Sequence, residues 1–74
     1  MAFNYDKLKG RIVEICGTRG EFAKRMGLSE KTISLKLSGQ IPWKQPEIVK
    51  AIETLELDSS DIQTYFFTLE VQNF

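Results

Sequence analysis

The 74-residue chain has no histidine and a single cysteine, Cys16. Transition-metal sites draw heavily on His and Cys, and a His usually activates a nucleophilic Cys, so both chemistries lack raw material. One cysteine also rules out an intramolecular disulfide, and a chain this small must then rely on its hydrophobic core. Cys16 itself falls at an apolar helical position, where a lone thiol behaves as a small hydrophobe. There are only two prolines, both within "QIPWKQPE", and no apolar run approaches the roughly 18 residues of a membrane span. No charged-then-apolar leader opens the chain. The carboxylates show no paired arrangement, so no enzyme, cofactor or small-molecule substrate is expected. The expectation is one soluble, cytoplasmic domain with a core over about residues 5–67 and a tail over 68–74.

Basic residues are missing from the last third. All ten Lys and Arg lie in residues 1–50, against five acids, which leaves that part at +5. Residues 51–74 hold five acids and no base, so the net charge of zero hides a strong polarity. A basic end of this kind points to an anionic partner, nucleic acid first.

What is present reads as short helices. Leu8, Ile12, Ile15 and Cys16 share one face of a helix over residues 5–16, which Gly17 is placed to end. Thr18 and Glu21 form a capping-box pattern that opens a second helix over 19–26, with Phe22, Ala23 and Met26 inward. Gly27 ends that helix, and Ser29 caps a third running to about residue 38, stopped by Gly39. Pro46 suits the first position of a fourth helix, with Ile48, Val49, Ile52 and Leu55 as its buried stripe. Asp58 and Asp61 favour a fifth helix start, covering 59–67. In the tail, Leu69 alternating with Val71 fits a short strand or an arm. The fold class expected is all-α, with four or five helices.

Only "GLS" separates helices two and three, and two short helices on so tight a turn leave the second protruding. "EFAKRMGLSEKTISLKLSG" followed by "PEIVKAIETLEL" resembles the Cro and lambda-repressor type of helix-turn-helix domain. Ala23, Gly27, Ile33 and Gly39 occupy the places that this family gives to Ala, Gly, Ile and Gly. The opening "FNYDKLKGRIVE" and the ending "DIQTYFF" further resemble small Cro-like regulators of phages of Gram-positive bacteria. The resemblance implies that helix three enters the DNA major groove while helix two bridges the backbone.

Helical geometry and the resemblance together nominate a contact surface. With Ile33 as the core direction at about 100° per residue, Leu37 lies near it and Leu35 almost opposite. Glu30, Lys31 and Leu35 then share the displayed side, and the family places base-reading side chains at these positions. Lys31 suits guanine O6 and N7, Glu30 suits cytosine N4, and Leu35 suits a thymine methyl. Ser29 would combine its cap with a groove contact. Arg19 and Lys44 match the family's phosphate clamps, and Lys36 is expected to flank the same surface. Trp43 either covers the core edge or stacks on DNA. Phe67, Leu69, Val71 and Phe74 are candidates for a dimer or partner interface.

Two functions fit. The first is a sequence-specific, Cro-like regulator that binds a double-stranded DNA operator as a homodimer in a lysis–lysogeny switch. The alternative is an antirepressor or modulator that binds a phage repressor protein through the same surface. It draws on the zero net charge, on Glu30 opposing the phosphate field and on Leu35 as an apolar knob. Fold cannot separate them, because function lives in the site.

Overall fold

The computed structural model describes residues 3–70, and these form five α-helices and one 3-10 turn, with a single isolated bridge near the ends. Helix α1 spans Asp6–Cys16, α2 Arg19–Met26, α3 Glu30–Leu37, α4 Gln45–Thr54 and α5 Ile62–Phe66. The first three helices follow the expected bounds to within a residue. Helix α4 starts one residue before Pro46, which is tolerated because the first-turn N–H groups need no intrahelical acceptor. The expected fifth helix divides. Asp61 Oδ2 accepts from the Asp58 N–H at 2.9 Å and Asp58 Oδ2 from the Ser60 N–H at 3.1 Å, tightening Ser59–Asp61 into a 3-10 turn before α5 begins.

Three helices stop in the same way. At α2, the Leu28 N–H reaches the Ala23 carbonyl and the Gly27 N–H that of Lys24; at α3, Gln40 reaches Leu35 and Gly39 reaches Lys36. Both are Schellman endings with glycine in the left-handed position, at φ 73° and 82°. Helix α4 repeats the pattern through Leu57 to Ile52 and Glu56 to Glu53, but Glu56 holds the left-handed place at φ 55°. Arg11 offsets that cost from α1. Its Nε donates to the Leu55 carbonyl at 3.0 Å and one terminal nitrogen to the Glu56 carbonyl at 3.2 Å.

The side chains of Leu8, Ile12, Phe22, Ile33, Leu55 and Phe66 are fully buried in one cluster. Helix α2 packs against α1, α3 and α4, and α5 closes the far side against α1 and α4. The stripe expected on α4 is shifted. Val49 is 54% exposed and Ala51 takes its place inside, since Ile48, Ala51, Ile52 and Leu55 follow i, i+3, i+4, i+7 while Val49 sits about 100° off. Cys16 packs at the core margin, where burial, only partly countered by Arg25, pushes its thiol up and keeps it protonated. Of the tail expected as a strand or an arm, Val71 lies outside the described residues, and Leu69 forms an antiparallel bridge with Phe3, with the Asn4 N–H donating to the Thr68 carbonyl at 2.7 Å.

The interaction that locates α3 is polar. Lys36, only 3% exposed, places Nζ 2.7 Å from Glu47 Oε1 on α4 and 2.9 Å from the Pro42 carbonyl. Glu47 Oε1 also accepts the Lys44 N–H at 2.9 Å, which opens α4. The pair crosses from α3 to α4, and its ammonium stands 5.7 Å from the Trp43 ring centroid. Trp43 in turn meets Phe66 edge to face at 5.3 Å, so it covers the core edge; its Nε1 is shut from solvent with no hydrogen-bond partner among the described residues.

Two predictions follow from these contacts. Burial alone would raise the Glu47 carboxyl, but the hydrogen bonds and charges of Lys36 and Lys44 outweigh it and hold the group below its ordinary 4.5. A depressed folded value means the stabilisation is complete above pH 4.5 and is lost as pH falls through that lower value. Lys36→Met should therefore cost about 3–5 kcal/mol at neutral pH in urea denaturation, and the mutant should lose less stability on acidification than the wild type. Separately, Glu56→Gly should raise stability by about 0.5–1 kcal/mol, because glycine carries no penalty in the left-handed position. A fall in melting temperature in that variant would show that the Glu56 side chain contributes more than its backbone costs.

Candidate functional site

The α2–turn–α3 segment owes its shape to local chemistry. Thr18 Oγ1 accepts the Glu21 N–H at 3.1 Å, but Glu21 does not complete a reciprocal box; its carboxylate turns to Arg25 Nε at 2.9 Å, one turn along. Gly27 reverses the chain, Leu28 packs on the core margin, and Ser29 opens α3 by accepting the Thr32 N–H at 3.1 Å. The Ser29 hydroxyl also donates to Thr32 Oγ1 at 2.9 Å, so its proton is committed within the cap. Ile33 and Leu37 then anchor α3 inward, at 0% and 3% exposure.

This anchoring displays Glu30 and Lys31, both exposed, with Leu35 half-buried beside them. Leu35 is thus less prominent than its position opposite Ile33 suggests, and forms a low apolar ridge. Arg19 is exposed at the start of α2 and Lys44 just before α4. Phe67 and Leu69 are exposed at 40% and 48%, at the opposite end of the sequence, whereas Val71 and Phe74 lie outside the described residues.

Lys36 does not flank the displayed surface. Its side chain is buried and its ammonium is neutralised by Glu47, so it is not available to a phosphate. The same helical arithmetic that placed Leu35 outward puts residue 36 about 60° from Ile33, well inside the buried stripe. The residue's charge obscured that position.

Glu30 takes a place with electrostatic consequences. A Cβ built on Gly20 would stand 3.0 Å from Glu30 Oε1, so this carboxylate lies over the first turn of α2. The partial positive charge of a helix start favours a nearby anion. The displayed face consequently combines two bases, Arg19 and Lys31, with one acid and an apolar ridge.

Aromatic residues that sequence reading did not group come together past the C-terminal end of α3. Phe3, Tyr5, Trp43, Phe66 and Phe67 line an open cleft with Ile41 and Pro42. Phe3 packs edge to face on Phe67 at 5.7 Å. The signal available in sequence was the aromatic pair Phe3 and Tyr5 at one end and "YFF" at the other, but it takes the folded chain, with the Phe3–Leu69 bridge, to join them.

With the fold and this surface in view, similarity to other proteins becomes informative. No curated protein matches the chain. It is similar to the solution structure of the modulator of repression (MOR) of the temperate bacteriophage TP901-1 from Lactococcus lactis. The identity is 50%, the match covers 97% of each chain, and the TM-score is 0.80. This relationship favours the modulator alternative over the DNA-reading regulator. The model of the family described as "Protein of unknown function (DUF739)" matches residues 1–69, and the chain belongs to that family.

Proposed function

We propose that this protein is a modulator of phage repression that acts in the host cytoplasm by binding the phage repressor, not by reading an operator. The observation that carries the reading is the 50% identity over 97% of both chains to a phage modulator of repression. It acts by binding rather than by catalysis. The helix-turn-helix reading of α2 and α3 makes the face of Glu30, Lys31 and Leu35 the contact surface.

The composition of that face supports a protein partner. A phosphate backbone is held by cations, and a protein that makes several such contacts carries a net positive surface. Here Lys36 is withdrawn into a buried pair and Glu30 sets a negative charge at the start of α2. A mixed face with an apolar ridge suits a protein surface better, since alternating charge sets register while the ridge excludes water. Three exposed cations, Arg19, Lys31 and Lys44, keep the DNA reading open to test. That reading also requires a homodimer matched to a palindromic site.

The two readings separate in solution. Titration calorimetry with the repressor encoded in the same phage genome should show binding, and Leu35→Glu should weaken it by about tenfold or more without unfolding the chain. Lys31→Glu, at an exposed position, serves as a second variant. If the wild-type chain does not bind the repressor, the reading fails. In a mobility-shift assay with the operator that the repressor occupies, the chain alone should give no shift at roughly 0.15 M salt. A shift that weakens steeply with salt and is lost in Arg19→Ala would instead establish the DNA-binding regulator.

A further inference from the structure

The cleft past the end of α3 has a volume of about 430 Å³, and no charged residue is among the described residues that line it. Its walls are Tyr5, Trp43, Ile48 and Phe66, and its rim carries Phe3 and Phe67, exposed at 38% and 40%. A concave, mostly apolar site of this size suits a bulky apolar group. The occupant it fits is uncharged and bulky.

The cleft abuts the C-terminal end of α3. Ser38 and Gly39, at the end of that helix, form one wall. The Leu35 carbonyl accepts the N–H of Gln40 at 2.9 Å and that of Ile41 at 3.4 Å, and Ile41 lines the cleft. The turn that ends α3 thus carries the chain from Leu35 directly to Ile41 at the cleft. Size requires some such continuation. An eight-residue helix offers a face about 12 Å long and about 10 Å wide, far short of the roughly 800 Å² that each partner buries in a stable complex.

We propose that this cleft is the second half of the repressor-binding surface and receives one bulky, uncharged apolar side chain of the repressor. The inference rests on the repressor-binding reading above and extends it from the Leu35 ridge to a pocket. A side chain seated against Trp43 and Phe66 would be the anchor of the interface, since affinity concentrates in a few residues buried in fitted pockets. The mixed charges of Glu30, Lys31 and Arg19 would then form its polar rim.

Trp43 is the chain's single tryptophan, so 5-fluorotryptophan places one fluorine signal on the cleft wall. In the full chain, adding the repressor should shift this resonance. Ile41→Lys and Phe67→Lys should each weaken repressor binding about tenfold with melting temperature unchanged. Phe67, already at the exposed rim, carries the test if the Ile41 variant loses stability. Repressor binding that Leu35→Glu removes, with the Trp43 signal unmoved and the cleft variants neutral, overturns the cleft assignment but leaves the repressor reading standing. Absence of repressor binding by the wild type overturns both. A Trp43 signal that moves with protein concentration in the absence of repressor makes a second copy the occupant. A signal that changes when the chain is cut after residue 70 makes its own last residues the occupant. Either result overturns the proposal.

Discussion

The ion pair between Lys36 and Glu47 sets where the third helix can lie. Apolar packing through Ile33 and Leu37 presses α3 onto the core but leaves it free to slide, because hydrophobic contact has no direction. A buried ammonium has direction: it must meet the Glu47 carboxylate and the Pro42 carbonyl together. The same carboxylate oxygen receives the Lys44 N–H, so one acceptor joins the body of α3, the loop behind it and the start of α4. Such a pair adds little net stability compared with a fitted apolar pair, and its value is to specify one arrangement. The displayed face and the aromatic cleft both depend on it, since Trp43 lies between the pair and Phe66.

The course of the helices was legible because their ends are encoded by local chemistry. Gly27 and Gly39 adopt the left-handed positions their places suggest, and Thr18, Ser29 and Asp58 cap as their side chains dictate. Reading failed where a distant partner decides. Glu56 takes a left-handed conformation with Arg11, forty-five residues away, across its carbonyl. Val49 faces out because the inward slot goes to Ala51. In the candidate site, Glu30, Lys31 and Arg19 are displayed as their positions suggest, whereas Lys36 is inward because Glu47 awaits it. The aromatic cleft was invisible, since its walls come from both ends of the chain and from one loop.

The comparison with a phage modulator of repression changes what the displayed helix means without changing its geometry. A helix placed to enter a DNA groove is also a helix placed to meet a protein, and side-chain chemistry separates the two uses. In this chain a carboxylate stands over the start of α2 and one cation has been drawn inside. Both features weaken attraction to phosphate.

The bridge between Phe3 and Leu69 bears on the order in which the molecule assembles. Most of its contacts join neighbouring helices, and structures rich in local contacts form quickly. The bridge instead joins residues at the two ends of the described chain, and it shares the entropy cost of closing that loop with the packing of α5 on α1. It should form last and open first, while the helical core stays closed. The aromatic rim beside it would share that breathing, giving one pole of the molecule a freedom that the pole at the α2–α3 turn lacks.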